Sequence, residues 1–494
     1  MTAETRSDRT RWMALYVLCV GFLMIVLDAT IVNVALPSIK ADLGFSQSNL
    51  AWVVNAYLIA FGGLLLLAGR IGDLIGQRRI FLIGLGVFTA ASLLCATAQS
   101  QGVLIAARFV QGIGGALTSA VILGMIVTMF PEPREQAKAI GVYSFVASAG
   151  ASIGLLAGGI LTEAINWHWI FFVNLPIGVA TALLAVKLVE DREGIGLDKG
   201  ADIPGAVLVT SGLMLGVYTI LQVGEQGWGS AQTLGLGGIA IALVAAFVAR
   251  QARISNPLMP LRLFRSRNVA GANLVMCLLV VGFFGMFFLG ALYLQGILHY
   301  SPLGVGLAFL PACLVMGTLS LGFAERLIMG LGARTALLAG LVVACAGLLL
   351  FARSPVEGNY VTDVGPVMVL LGIGAGLAFP ALMTLAMSGA TQSDSGLASG
   401  LVNTTTQVGG AIGLAVLATL ASERTNGLRA DGESTAAALN SGYHLAYLIG
   451  AVLVAGAVLV AFGVLRSRAS AETQAEADAE RGPGRAEPAY CKAA

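Results

Sequence analysis

Apolar runs of about twenty residues recur along the whole chain, separated by charged residues, glycine, proline or asparagine. A helix needs about 20 apolar residues to cross the roughly 30 Å hydrocarbon core of a bilayer. Hydrophobic residues make up 57% of the 494 residues and charged residues only 11%, whereas about 25% charged residues is usual in a soluble domain. The sequence therefore predicts an all-α membrane protein with many spans. Fourteen runs are long enough, with these approximate bounds: 12–36, 50–69, 80–98, 103–129, 138–161, 168–188, 203–223, 232–249, 269–296, 303–325, 335–352, 364–388, 397–421 and 444–466.

The distribution of lysine and arginine predicts the orientation of these spans. Because the number of spans is even, both chain ends lie on the same side of the membrane. If that side is the cytoplasm, only four of 28 basic residues are external, Arg108 lies within a span, and the other 23 are cytoplasmic. Basic residues are enriched on the cytoplasmic side of membrane proteins. Both termini are therefore expected in the cytoplasm, with the chain in the cytoplasmic membrane. The external four are Lys40, Arg353, Arg424 and Arg429.

The first run is expected to remain as a membrane helix. It is about 24 residues long and contains Asp28 and Asn33, whereas the apolar core of a cleaved signal peptide is about 7–15 residues.

Two internal repeats predict a pseudo-symmetric molecule. Gln111–Leu117 resembles Leu371–Leu377 at an offset of 260, and Gly150-x3-Gly154 matches Gly409-x3-Gly413 at an offset of 259. Such repeats are typical of transporters. We expect two six-helix halves with two extra helices between them. The predicted organisation is a cytoplasmic N-terminus at 1–11, an N-terminal half at 12–188, a linker with two extra spans at 189–250, a loop with the C-terminal half at 251–466, and a disordered tail at 467–494.

Several kinds of site chemistry are not indicated. A P-loop requires a Gly-Lys pair, which the chain lacks. The serine of Gly150–Gly154 fits a G-x-S-x-G pattern but lies mid-span without the strand that a nucleophile elbow needs. The three histidines are isolated and the six cysteines lie far apart, so neither a metal site nor a cofactor is expected. The net charge of +2 is small and dispersed, so the sequence does not indicate a basic surface for binding nucleic acid.

Asp28 and Arg108 are ionisable residues at membrane depth, and such residues are costly and often functional. They lie roughly 12 Å and 8 Å from the external ends of the first and fourth spans, at about 1.5 Å per residue. We therefore predict that they face each other and couple to protons, with Gln111 on the same face as Arg108. A permanent structural ion pair is the alternative. Asn33 points about 140° away from Asp28 and is expected to contact another helix.

The turn between the second and third spans combines glycines with charges. Glycines let helices approach closely, while Asp73 can cap a helix or pair with a basic residue across the halves. We interpret this turn as a cytoplasmic gate, although a charged turn that is simply solvated would have the same composition. The candidate gating residues are Gly69, Gly72, Asp73, Gly76, Arg78 and Arg79.

The fifth span carries a smooth glycine face that suits either sliding or static helix packing. Its glycines are Gly141, Gly150, Gly154, Gly158 and Gly159. A cavity for lipophilic molecules needs aromatic walls and a few polar groups. Candidates are Phe283 and Phe287 in the ninth span with Asn403 and Gln407 in the thirteenth, although phenylalanine also faces lipid or neighbouring helices in many membrane proteins.

These motifs resemble the fourteen-span drug:proton antiporter family of the major facilitator superfamily. The resemblance covers about residues 12–466 and rests on Leu27–Pro37 in the first span, Gly69–Arg79 in the cytoplasmic turn, Arg108–Gly114 in the fourth span, Gly141–Gly159 in the fifth and Trp167–Pro176 at the sixth. It implies the superfamily fold, proton transfer through Arg108, gating at the turn, and export rather than uptake.

Two positions depart from the family pattern. Leu155 stands where proline is usual, which alters the expected kink, and His168 stands where arginine is usual. The predicted function is a proton-coupled antiporter that exports lipophilic drugs or antibiotics by alternating access, with protons and membrane lipid as further partners and a monomer favoured. Alternatives are a proton-coupled transporter of another metabolite or a peptide, a membrane-embedded enzyme, and a channel.

Overall fold

The computed structural model describes residues 3–46, 49–194, 196, 202–254, 257–259, 261–388 and 395–465, and the tail predicted at 467–494 lies outside them. These residues are almost entirely helical, and none of them forms a strand. The helices are α1 (Ala3–Leu43), α2 (Trp52–Ile75), α3 (Gln77–Ala96), α4 (Gln101–Met129), α5 (Pro133–Ala164), α6 (Trp169–Phe172), α7 (Asn174–Leu188), α8 (Ile203–Gln226), α9 (Ala231–Gln251), α10 (Arg267–Gly296), α11 (Pro302–Thr318), α12 (Ala324–Leu331), α13 (Ala333–Phe351), α14 (Gly365–Ser388), α15 (Ser395–Ala430) and α16 (Thr435–Val464).

Each of the fourteen predicted spans coincides with one helix or with a consecutive pair. The pairs are α6 with α7 and α11 with α12. In the described part of the chain, eleven helices are long and apolar enough to cross a membrane, and α2 is a twelfth candidate, bent by 49°. Shorter apolar stretches, Ile153–Ala164 and Pro302–Thr318, belong to α5 and α11. The predicted all-α membrane class is confirmed.

The helices at the end of the chain are longer than the sequence predicts. The loop expected between residues 421 and 444 is mostly helix, because α15 continues to Ala430 and α16 begins at Thr435. The Ser434 hydroxyl accepts a hydrogen bond from the Ala437 N–H at 3.2 Å and caps α16. Hydropathy marks only the part of a helix inside the hydrocarbon, so polar extensions are missed.

The helices form two halves with an extra pair between them. In the first half α1 packs against α5 and α7, and α4 packs against α2 and α3; in the second half α10 packs against α15 and α16, and α13 packs against α14 and α16. The extra helices α8 and α9 pack against each other, and α8 also contacts α2 and α15. The prediction of two six-helix halves plus two central helices is confirmed.

The two halves meet closely at one end of the bundle, here called the α5–α11 end. A Cβ atom on Gly159 of α5 would lie 2.6 Å from the Cα of Leu303 in α11. The Leu303 N–H donates a hydrogen bond to the Glu163 carboxylate at 3.0 Å. Nearby, the Gln295 side chain of α10 donates to the Val34 carbonyl of α1 at 2.9 Å. Backbone contacts and cross-half hydrogen bonds therefore close this end.

Candidate functional site

An ion pair lies inside the first half, between α1 and α4. Nη1 of Arg108 donates to Oδ2 of Asp28 at 2.6 Å, and the two side chains are 1% and 0% exposed. An unpaired charge at such a position costs several kcal/mol, so removing either side chain would leave the other without a counter-charge. The structure thus brings together the two residues whose matching depths predicted a facing pair.

Gln111 joins both members of this pair. Its Nε2 donates to Oδ1 of Asp28 at 2.7 Å, and its Oε1 accepts from Nη1 of Arg108 at 2.7 Å. Gln111 lies one turn beyond Arg108 on α4, the spacing at which two side chains share a helix face. The three predicted proton-coupling residues therefore form one closed, fully buried hydrogen-bonded ring.

Ser92 and Asn174 complete the network, and the sequence reasoning missed both. Asn174 at the start of α7 donates to Oδ1 of Asp28 and to Oγ of Ser92, both at 3.0 Å. Ser92 of α3 also accepts from Gln111 at 3.2 Å and donates to the Phe171 carbonyl at 2.9 Å. An asparagine inside an apolar span was a usable signal for Asn174, whereas one serine among small residues gave none.

The other side of the Arg108 guanidinium rests against α2. Its Nε donates to the Val53 carbonyl at 3.0 Å, and its central carbon lies 4.4 Å from the centre of the Tyr57 ring, a cation–π contact. α2 can approach this closely because Gly112 of α4 faces the Tyr57 carbonyl, where a Cβ atom would collide. The guanidinium is therefore fixed between a carboxylate and an aromatic ring.

A cavity of about 1180 Å³ lies between the two halves, and the end of α9 also borders it. Drug-sized ligand sites are usually about 300–1,000 Å³, so this cavity accommodates bulky molecules. The predicted residues Phe283 and Phe287 of α10 and Asn403 and Gln407 of α15 line it, and Arg108 reaches it from the first half. Asp28 is not among the lining residues. Arg108, although only 1% exposed, thus borders the cavity, and the Asp28 carboxylate lies behind it.

Asn33 also lines the cavity, which corrects the expectation that it contacts another helix. Its Nδ2 donates to the Ala29 carbonyl one turn earlier at 3.2 Å. As predicted, the Asn33 and Asp28 side chains point in different directions: Asn33 lines the cavity, and Asp28 lies inside the first half. Sequence spacing gave the angle between the two residues but not which of them faces the cavity.

The cavity extends to the turn at residues 69–79, here called the loop end, where Gly69, Asp73 and Gln77 line it. The Asp73 carboxylate is exposed and accepts from Gln77 Nε2 at 3.2 Å. In the described part of the chain, neither a helix cap nor a basic partner across the halves engages Asp73 in this open conformation.

Arg78 and Arg79 of the turn bind residues at and just beyond the end of α7. The Arg78 guanidinium donates to the Val186 carbonyl at 2.5 Å, and both Arg78 and Arg79 lie near the Asp191 carboxylate, at 3.8 and 3.7 Å. The turn is therefore fastened to the end of α7.

The glycines of the turn allow this close packing. Gly72 faces Val121 of α4, where a Cβ atom would collide, and Gly69 faces Ala120 on the same helix at 3.9 Å. Gly76 adopts a φ of 107°, which side-chain-bearing residues rarely adopt, and it separates α2 from α3.

The glycines of α5 face two different helices. A Cβ atom at Gly150 would lie 2.9 Å from the Leu23 side chain, and one at Gly158 would lie 2.8 Å from the Ile31 carbonyl, both on α1. Gly154 also faces α1, against Thr30, and Gly141 lies nearer the start of α5. Gly159, by contrast, packs across the halves at the α5–α11 end. The glycine face therefore joins the first half internally and also forms part of the closed end.

The two positions that depart from the family pattern lie away from the buried network. The Leu155 carbonyl would be 2.6 Å from a Cβ atom on Gly306 of α11, so this position forms part of the backbone contact between the halves. The His168 ring stacks on Trp167 at 3.7 Å, and the Trp167 indole N–H donates to Asp42 at 2.9 Å.

Two helical halves around a central cavity, with a buried ion pair behind its wall, define a membrane transporter rather than an enzyme. The chain belongs to the Major Facilitator Superfamily, which matches residues 18–414.

Its relatives include proteins named for antibiotic resistance or export. The puromycin resistance protein pur8 of Streptomyces alboniger is 38% identical over 94% of each chain. The cephamycin export protein CmcT of Amycolatopsis lactamdurans is 38% identical over 87% of this chain and 89% of that protein. The lincomycin resistance protein of Streptomyces lincolnensis is 36% identical over 84% of this chain and 85% of that protein.

Solved structures share the fold at much lower sequence identity. A bacterial homologue of the human lysosomal transporter Spinster, inward-facing and unoccupied, matches with a TM-score of 0.66 and 17% identity, covering 92% of this chain and 96% of that one. The human organic anion transporter MFSD10 matches with a TM-score of 0.59 and 17% identity, covering 90% of this chain and 99% of that one.

Proposed function

We propose that this protein is a proton-coupled antiporter that exports lipophilic drugs or antibiotics across the cytoplasmic membrane by alternating access. The export and resistance functions named for its relatives support the substrate class. The observation that carries the coupling is the buried ring of Asp28, Arg108 and Gln111, set directly behind the wall of a large aromatic cavity. Protons, the drug and surrounding lipid are then its partners.

The geometry suggests how proton and drug exchange. Protonation of Asp28 removes the negative charge that holds Nη1 of Arg108, and a neutral carboxyl attracts a guanidinium far less than a carboxylate does. Arg108 then keeps its bond to the Val53 carbonyl and its contact with Tyr57. Since Arg108 lines the cavity and Asp28 does not, a bound drug senses the proton only through Arg108. Drug binding and Asp28 protonation are therefore linked through one guanidinium.

The open conformation fits the first step of export if the turn at residues 69–79 faces the cytoplasm. The cavity then opens to the cytoplasm at the loop end, and the α5–α11 end is external and closed. We assign residues 12–188 and 251–466 to the two moving halves and residues 189–250 to the linker and extra helices. Both termini would be cytoplasmic, consistent with the distribution of basic residues.

The decisive experiment measures dye transport in inverted membrane vesicles with and without an imposed pH gradient. We expect gradient-dependent accumulation of several lipophilic dyes, and partial collapse of the gradient when each dye is added. Vesicles without the protein are the control, and small peptides and polar metabolites complete the panel. Accumulation that is unaffected by removing the gradient would contradict proton coupling. A response to peptides or metabolites alone would contradict the drug assignment.

The proposed gate is tested by Asp73→Asn. If Asp73 gains a cap or a basic partner only when the loop end closes, its loss removes about 1 kcal/mol from the closed state, a change of about fivefold in the ratio of the two states. We expect slower turnover, with drug affinity changed less. Labelling of Leu123→Cys, which lines the cavity, in a background without the native cysteines, should become faster from the cytoplasmic side.

The matched control for this variant is Asp431→Asn, which neutralises an exposed carboxylate in the turn between α15 and α16. Wild-type turnover in Asp73→Asn would instead support a solvated turn without a gating role. Lost turnover with unchanged labelling would show that Asp73 acts in some way other than gating.

A further inference from the structure

Outside the ion-pair network, the structure contains a second buried carboxylate, that of Asp202 at the start of α8. The side chain is 2% exposed. Its Oδ1 accepts from the Gly205 N–H at 3.0 Å, which caps α8, and from Nε of Arg250 in α9 at 2.6 Å. Its Oδ2 accepts from Nε2 of Gln251 at 2.6 Å. The carboxylate therefore joins the first turn of one extra helix to the last turn of the other.

The hydrogen bonds continue from Gln251 into the chain that follows α9. Its side-chain oxygen accepts from the Met259 N–H at 3.1 Å. Residues 257–259 and 261–262 are here called the mouth segment. Leu258 of this segment packs into a small cluster with Leu67 of α2 and Ala206 of α8. The segment is thus held on one side by Gln251, whose side chain is bound to Asp202, and on the other side by apolar packing against α2.

The mouth segment and the end of α9 form part of the cavity wall at the loop end. The cavity-lining residues from this region include Gln251, Pro257, Leu258, Leu261 and Arg262. The same opening is lined by Asp73 and Gln77 of the turn. A molecule entering from the loop end therefore passes between the turn of the first half and a wall formed by the end of α9 and the mouth segment.

We infer that Asp202 is a positioning residue for the substrate entrance: through Gln251 it holds the mouth segment in place, so the extra helices take part in selecting bulky lipophilic substrates. This inference rests on the proposed function, because it assigns a role within the same cavity. It gives α8 and α9 a task beyond joining the halves.

The charge of Asp202 is separate from the proton-coupling chemistry. Burial by itself raises the pKa of this carboxyl, but the hydrogen bonds from Arg250, Gln251 and Gly205 outweigh it and hold the pKa below its ordinary value of 3.8. Asp202 is therefore ionised throughout the range from about pH 5 to 8. The stabilisation it provides is lost only when the pH falls through this lowered pKa.

The test compares Asp202→Asn with the wild-type protein in vesicles and in a labelling assay. Loss of hydrogen bonds to a charged group should free the mouth segment and raise the labelling rate of Leu261→Cys by an impermeant maleimide roughly tenfold. For a bulky dye we expect KM to rise several-fold, with the maximal rate and the pH profile of exchange close to wild type. A small substrate should be affected less.

Asp431→Asn serves as the matched control, since it makes the same chemical change at an exposed position. Cross-linking Leu67→Cys to Leu258→Cys with a flexible bis-maleimide, without the Leu261→Cys reporter, should restore the wild-type KM in Asp202→Asn. If Asp202→Asn does not fold, Gln251→Leu keeps the ion pair of Asp202 with Arg250 and removes both hydrogen bonds of the Gln251 side chain, to Asp202 and from Met259; the same changes are expected.

Unchanged labelling and unchanged KM in either variant would overturn the inference, as would a cross-link that leaves the elevated KM uncorrected. The labelling assay requires no transport. A failure of the proposed drug export would therefore leave labelling of the mouth segment intact as a separate result.

Discussion

Asp28→Asn is expected to abolish the release of protons on drug addition while the protein still inserts into the membrane. Asparagine keeps the shape of the side chain and can still accept from Gln111 and Asn174, but it cannot titrate. It also leaves Arg108 without its counter-charge, which costs about 3–5 kcal/mol when one partner of a buried pair is removed. The remaining contacts of Arg108 with Val53 and Tyr57 should keep the fold intact at reduced stability.

The measurement is collapse of an imposed pH gradient in vesicles at matched protein levels, accompanied by a thermal melt. Asp431→Asn should behave like wild type in both. The double variant Asp28→Asn with Arg108→Gln removes the orphaned charge and should recover stability without recovering exchange. Full exchange in Asp28→Asn vesicles would exclude Asp28 as the coupling group. Recovery of exchange in the double variant would show that the ion pair contributes to packing and not to coupling.

Arg108→Lys should reduce drug-driven exchange by roughly tenfold to a hundredfold, the factor expected when one or two hydrogen bonds to a charged group are lost. Lysine keeps the positive charge but lacks the planar guanidinium, which presents several N–H donors in a fixed, fork-like geometry. Its single ammonium group cannot reproduce the bonds to Asp28, Gln111 and the Val53 carbonyl together, and it has no flat face for Tyr57.

The initial rate of drug-driven proton movement and the equilibrium binding of one dye should be measured together. We expect the rate to fall more than the affinity, since the guanidinium links two events rather than providing most of the binding surface. Arg353→Lys changes an exposed arginine in the same way and should leave both quantities unchanged. Wild-type rates in Arg108→Lys would show that charge alone suffices and that the fork geometry has no part in coupling.

Hydropathy and depth were sufficient to predict the spans and to place Asp28 opposite Arg108, because rise per residue converts sequence position into height in the membrane. They could not predict the partners contributed by other helices, since rotation about a helix axis is set by packing. Asn174, Ser92 and the cavity-facing Asn33 were missed or misplaced for this reason. Asp202 carried a local signal, an aspartate just before a proline-containing helix start, but its burial depends on α9.

The concealment of Asp28 behind Arg108 has an evolutionary consequence. In the proposed mechanism, the residue that binds the proton and the residues that contact the drug are different, and they lie on different surfaces. On that mechanism, substitutions on α10 and α15 would change the set of recognised antibiotics without altering Asp28, the proposed coupling group. A lineage facing a new toxic compound can alter its specificity one residue at a time while the energy supply of the exporter stays constant.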